Sequence, residues 1–161
     1  MTPHIADRDF ILVRDSPIHG RGVFARRSIP RGTRVIAYAG RRWDTATLMA
    51  AVARDERALT YVLDLDGARV IDGAEDGNDA RFINHSCAPN CEVYVFDDTP
   101  YVYAKTEIAE GTELTFDYML QSAEGSPIPL SVQRKLLPCH CGTDRCRGTM
   151  AAPLRRGRAR G

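Results

Sequence analysis

"RFINHSCAPN" occupies residues 81–90. An apolar pair, Phe82-Ile83, is followed at once by Asn84, His85, Ser86, Cys87 and Asn90. Buried polar groups need partners, so a polar run directly behind a core step raises the question of what it meets. The stretch is irregular, and it is able to face a segment that docks from elsewhere in the chain.

Cys87 has four companions: Cys91, Cys139, Cys141 and Cys146. An odd number of cysteines, with no secretory leader expected at residues 1–9, argues against a disulfide framework. "CHCGTDRC" (139–146) has the spacing C-x-C-x4-C. Three thiolates that close together can wrap one ion, but structural zinc takes four ligands in a tetrahedron. His140 is chemically suited, yet it lies between two ligands and its side chain is expected to point away. Cys91 opens a strand and reads as a small buried apolar residue. Cys87 is the preferred fourth ligand. Four thiolates leave no open position for water, so such a zinc would be a clasp folding the C-terminal segment onto "NHSC", not a catalyst.

The 161 residues suit one domain with a small appendage. No apolar run reaches the roughly 18–20 residues needed to cross a membrane. The ending "PLRRGRARG" carries Arg155, Arg156, Arg158 and Arg160, so the rest of the chain holds −3 against +1 overall. A mildly acidic body favours basic peptide partners. Arginine outnumbers lysine 20 to 2, in keeping with a GC-rich, bacterial source. The expected compartment is then the cytoplasm, with the nucleus or export to a host cell as alternatives.

Short alternating runs bounded by Gly, Pro or Asp predict strands at 10–14, 33–40 and 113–118. Two hairpins are expected. One runs over 60–72 with a tight turn at Asp66-Gly67, and the other pairs "CEVYVF" with "YVYAKT" around 97–100. Leu48, Met49, Val52 and Leu59 share a helical face, which predicts a helix over Thr45–Leu59 with Asp44 as N-cap. Residues 121–133 read as a polar linker. The fold class is α+β, mostly β.

"SPIHGRGVFA" (16–25), "YAG" (38–40), "VIDGAEDGNDARFINHSCAPNC" (70–91), "GTELTFDY" (111–118) and "LPCHCGTDRCRGTM" (137–150) stand in one order along the chain. Together they resemble the SET-domain protein-lysine methyltransferases, in particular the trithorax-like branch with a C-terminal post-SET zinc motif. The resemblance implies a SET-domain fold of several short curved sheets with a pseudoknot, in which the strand like "ELTFDY" threads the segment like "RFINHSC". The implied divisions are a SET domain at 10–120, a linker at 121–133, a post-SET zinc motif at 134–150 and a basic disordered tail at 151–161.

The implied reaction moves a methyl group from S-adenosylmethionine to a lysine amine of a histone or other protein. By resemblance Tyr118 orients the amine beside the transferring methyl. Tyr38 and Tyr61 line the lysine channel and the cofactor site. Phe116 stands where trithorax-like relatives usually have tyrosine, so di- or trimethylation is expected. His19, Arg21, Gly22, Tyr61, Asn84, His85, Tyr118 and His140 match cofactor contacts, and zinc is implied on Cys87, Cys139, Cys141 and Cys146. Arg81 reads as an ion-pair partner and Asp72 as a hairpin-end carboxylate. Arg41 replaces a glutamate common in relatives and puts a local ion pair in doubt. Two other classes stand as alternatives: a catalytically silent SET-like peptide-binding module, and a zinc-bearing nucleic-acid binder using the basic tail. No membrane partner is expected.

Overall fold

A computed structural model describes residues 9–121 and 129–153. In chain order the elements are β1 (Ile11–Asp15), β2 (Arg21–Ala25), β3 (Arg34–Ala37), β4 (Arg41–Asp44), α1 (Thr45–Ala53), β5 (Val62–Asp64) and β6 (Arg69–Asp72). A 3₁₀ turn (Asp79–Phe82) follows, then β7 (Asn84–His85), β8 (Cys91–Phe96), β9 (Thr99–Ala104), β10 (Glu113–Phe116) and α2 (Leu130–Leu136). The described strands form three small sheets, ordered β1-β2-β10-β7, β3-β9-β8 and β4-β6-β5. The mostly β architecture is the expected one.

Both hairpins form, with differences at their turns. Leu63 faces Ile71 across β5 and β6, but the connection is the four residues 65–68 and not a two-residue turn. Asp66 explains the longer loop: its carboxylate accepts the N–H groups of Ala68 and Arg69 and so substitutes for ladder bonds. In the second hairpin the turn is tighter than expected. Asp97 and Asp98 both have positive φ, 47° and 60°, as the shortest hairpin turns require. Thr99 and Pro100 therefore belong to β9. Pro100 lies opposite Val95, one rung beyond the turn-closing Phe96–Thr99 pair, where its nitrogen faces away from β8 and costs no ladder bond there.

The helix ends earlier than its apolar spacing suggests. It buries Leu48 and Ala51 and stops at Ala53. Arg54, Asp55, Glu56 and Arg57 follow, so a further turn would bury nothing to hold it. Leu59 is left exposed. Asp44 is the N-cap, but its carboxylate accepts the Thr47 hydroxyl (2.6 Å) instead of a backbone N–H. At the other end of the chain, α2 begins within the expected linker, directly after Pro129. Residues 122–128 of the expected linker and 154–161 of the expected tail lie outside the described residues, but the start of that tail is ordered: Ala151 is buried and bridges Leu120, and the Ala152 N–H donates to Leu120 O (2.8 Å).

The decisive feature is how β10 is held. It pairs antiparallel with β2, as Glu113 with Phe24 and Leu114 with Val23, and parallel with the two-residue β7, as Thr115 with Asn84 and Phe116 with His85. The Ser86 N–H donates to Phe116 O (3.2 Å). The Asn90 carboxamide donates to Glu113 O (2.8 Å) and accepts the Thr115 N–H (2.9 Å). Backbone groups of residues 113 and 115 face one edge of a strand and that of 116 the other. Ser86 and Asn90 therefore hold β10 from opposite edges, and the segment between them passes across it. This crossing answers what the polar run at 84–90 meets.

Around it lies the core: Val23, Ile29, Val35, Ile83, Val102, Ile108 and Leu114 are essentially free of solvent contact. Cys91 is buried there as an apolar filler. Asn90→Ala would strip partners from two strand groups at the crossing. Each such group costs about 1–3 kcal/mol, so the variant is expected to lose about 2–4 kcal/mol in urea unfolding.

Candidate functional site

Three parts of the chain converge on the crossing. The first is the loop 16–22. Ser16 Oγ lies 2.7 and 2.9 Å from the two oxygens of Glu113 and accepts the Ile18 N–H. Asn84 Nδ2 donates to His19 O (3.1 Å), Arg21 O (3.0 Å) and Glu113 Oε1 (2.9 Å). The buried Asn84 thus ties this loop to β10. Gly22 is required because a Cβ there would run into the Glu113 carboxylate. The His19 and Arg21 side chains are exposed, and the Arg21 guanidinium lies 5.2 Å from the Phe82 ring centre. Glu113 was not singled out among the sequence candidates. Its only signal was its place in "ELTFDY", because its partners lie 29 and 97 residues away.

The tyrosines form the second part. Tyr118 OH donates to Ile83 O (2.6 Å), and the Phe116 and Tyr118 ring centres are 5.0 Å apart. Burial, then the neighbouring Glu113 and Tyr61, raises the Tyr118 phenol well above its usual range. It stays a phenol at neutral pH, not a phenolate. Tyr38 is buried in the core and donates to Tyr61 O (2.8 Å), so its hydroxyl fixes the Tyr61 backbone. Burial raises its phenol as well. Tyr61 is half-buried, edge-on to Phe82 at 5.9 Å.

The third part is the cysteine cluster. The sulfurs of Cys87, Cys139, Cys141 and Cys146 all lie within 4.8 Å of one another. Cys91 is elsewhere, in the core, and His140 is exposed. Every sulfur has a hydrogen-bond donor at hand. Cys87 faces His85 Nε2 (3.4 Å) and the Arg147 N–H (3.4 Å), and Cys139 the Cys141 N–H (3.4 Å). Cys141 lies 3.3 Å from Thr143 Oγ1, and Cys146 accepts the Gly148 N–H (3.4 Å). Burial opposes ionisation of Cys141, but the bond from Thr143 and its other hydrogen bonds outweigh it and bring this thiol down to about 6. Burial raises Cys87 and Cys139.

His85 joins the second part to the third. Its Nδ1 accepts the Tyr118 N–H (3.0 Å), so the ring proton is on Nε2, facing Cys87. Burial holds the imidazole neutral in spite of Asp117 nearby. The ring is committed to Tyr118 and Cys87. A second link went unnoticed in the sequence: Arg147 donates from Nη1 and Nη2 to the two oxygens of Asp117 (2.7 and 2.9 Å). Burial alone would raise the Asp117 carboxyl, but Arg147 outweighs it and holds it low.

Next to Phe116, Asp117 and Tyr118 opens a cleft of about 330 Å³. Leu63 and Asp64 of β5 line one side, and Cys91–Val93 and Val95 of β8 the other. Each of these strands pairs on one side only within its sheet. The ion pairs nearby differ from expectation. Asp72 ends β6, as a hairpin-end carboxylate, and is buried against Arg57 (3.2 Å). Arg81 donates to Gly73 O and covers the Phe82 ring at 4.7 Å. Arg41 pairs with Glu75 (2.8 Å) and stacks on Trp43, so the local ion pair exists with another partner.

Comparison with known proteins matches residues 20–119 to the SET domain family model. The chain is 37% identical over 146 residues to histone-lysine N-methyltransferase trithorax of Drosophila virilis, covering 87% of this chain and 4% of the relative. Human histone-lysine N-methyltransferase 2B is 35% identical over 152 residues, covering 87% and 5%. Histone-lysine N-methyltransferase ash1 of Drosophila melanogaster is 35% identical over 147 residues, covering 85% and 6%. The chain thus spans a small fraction of the length of these relatives.

The thiol environments predict a reactivity order in reduced, metal-free protein. Alkylation followed by peptide mass spectrometry is expected to label Cys141 readily at pH 7, with a midpoint near pH 6. Cys91, buried and pushed up to about 12, is expected to stay unlabelled until the protein unfolds.

Proposed function

This chain belongs to the SET domain family, and from that premise we propose that it is an S-adenosylmethionine-dependent protein-lysine N-methyltransferase. One observation carries the reading. Tyr118 is bonded through its hydroxyl to Ile83, next to the loop-tying Asn84, and through its N–H to His85, which faces the cysteine cluster, and it lines the cleft beside Phe116. A donor and an acceptor entering from different sides can meet there.

The residues present fit both implied groups. Four thiolates at apices of a zinc tetrahedron sit about 3.7 Å apart, and Cys87 and Cys139 are 3.7 Å apart here. The donors aimed at each sulfur suit thiolates, so Cys87, Cys139, Cys141 and Cys146 would hold one structural zinc. For the methyl donor, Asn84, His19, Arg21 and Gly22 form a polar cradle, and Tyr61 and Tyr118 offer aromatic faces that favour a cation. His85 serves through its backbone and its grip on Tyr118. His140 stands at the rim. S-adenosylmethionine would supply the methyl group on a cationic sulfur.

The chain's own part is to bind, strip water and orient. Tyr118 uses its proton on Ile83 O, which leaves its oxygen lone pairs to accept an amine N–H of the incoming lysine. A phenol kept neutral by burial does this without acting as base. The amine loses its proton because the channel disfavours charge, lowering a pKa that is about 10.4 in water. Tyr61 and Phe116 wall the channel, with Tyr38 fixing Tyr61. Phe116, lacking a hydroxyl, leaves room for successive methyl groups. The two strand edges of the cleft, unpaired among the described residues, suit an extended peptide adding as a strand. The substrate is a histone or other basic protein tail, which would take a histone-directed enzyme to chromatin.

Labelled methyl transfer to a panel of histones and soluble proteins tests the reading. Tyr118→Phe is expected to lower kcat about 10²-fold while donor binding survives. Phe116→Tyr is expected to shift products toward monomethyl-lysine by mass spectrometry. Elemental analysis should find roughly one zinc per chain. Donor binding with no protein labelled would instead favour a silent peptide-binding module.

A further inference from the structure

We propose that Arg147, outside the ligand set and the cleft, is the positioning residue through which the cysteine clasp sets Tyr118. The proposal rests on the methyltransferase reading for its kinetic consequence, though its geometry stands by itself. Arg147 directly follows Cys146, and its backbone N–H donates to Cys87 Sγ. Its guanidinium grips both oxygens of Asp117 and also donates to Ala151 O (3.2 Å). Paired N–H groups on two carboxylate oxygens fix direction as well as distance.

Asp117 is the residue before Tyr118, and the turn it starts is strained. Met119 has φ of 50°, in the left-handed region that non-glycine residues seldom adopt. The same Asp117 carboxylate accepts the Met119 N–H (3.1 Å) and holds that turn. Two further contacts complete the frame. The Tyr118 N–H donates to His85 Nδ1, and the Leu120 N–H to Met150 O (3.2 Å). Residues 117–120 are thus held by the clasp segment on one side and by the Cys87-facing histidine on the other. Arg147 is the one side chain of the clasp that reaches the acidic residue beside Tyr118. A relaxed 117–119 turn would let the Tyr118 hydroxyl drift from Ile83 O, and misplacement of about 1 Å can cost about 10²-fold in rate.

The test compares full-length Arg147→Gln, Arg147→Lys and Asp117→Asn with the parent. Metal content is read by elemental analysis, donor affinity by calorimetry, turnover by labelled transfer and amide protection by hydrogen exchange. Arg147→Gln is expected to keep its metal and its donor affinity, to lose amide protection at Tyr118–Leu120, and to lower kcat about 10- to 100-fold. Arg147→Lys, with one point charge instead of a fork, should recover part of both. Combining Arg147→Gln with Asp117→Asn should add little to either single loss. Retained protection and kcat in Arg147→Gln would overturn the proposal. So would loss of metal or of donor affinity together with activity, which would make Arg147 a structural part of the clasp. If the parent labels no protein, hydrogen exchange still decides the clamp, and the methyltransferase reading fails separately.

Discussion

The structure depends on strand β10 being gripped on both edges by one short segment. A four-residue strand carries too few ladder bonds to fix its own position, yet Phe116 at its end and Tyr118 just beyond line the cleft. Pairing with β2 holds only its first half. The rest is held by β7 and by the Asn90 carboxamide, which supplies one donor and one acceptor where a full strand would have supplied two backbone groups. An asparagine side chain can do this because it copies a peptide group. The polar run behind Phe82-Ile83 is therefore as much a part of the core as the apolar pair before it.

Asn84 and Glu113 extend the same logic outward. A carboxylate taken partly out of water, as Glu113 is, needs its lone pairs used. Glu113 spends them on Ser16 and Asn84, which in turn fix the loop 16–22. Residues 16–20 have no regular structure of their own and take their shape from these bonds, with Gly22 at the start of β2 admitting the carboxylate. The candidate cradle and the candidate cleft thus share one strand, and a shift in β10 would move both.

Local chemistry made much of this legible. The hairpins showed in their alternation and acidic turns, and the thiolate set in the spacing of Cys139, Cys141 and Cys146 with Cys87 left over. What escaped was set by charges and by distant partners. The shortened α1 follows from four consecutive charged residues overriding an apolar spacing. Glu113, Asn90 and Arg147 act on groups far along the chain, and no local period marks such residues. The ion pairs were hidden for the same reason: Arg57 reached Asp72, and Glu75 reached Arg41, across loops whose course only the folded chain reveals.

The cysteine cluster illustrates how four sulfurs spread over sixty residues can be gathered by hydrogen bonds. Hydrogen bonds from N–H or O–H groups stabilise a negative sulfur and do little for a neutral thiol. All four sulfurs have such donors close by, from His85, Arg147, Cys141, Thr143 and Gly148. Gly148 holds φ of 73°, the left-handed conformation that lets its N–H turn toward Cys146. Three of these donors belong to the turn Thr143–Gly148, and one belongs to the histidine that also holds Tyr118. The bonds that gather the sulfurs, and that lower Cys141 while burial raises Cys87 and Cys139, therefore also fix the backbone of the residue at the head of the cleft. Charge on sulfur and the position of a phenol some residues away are set by one connected group of bonds.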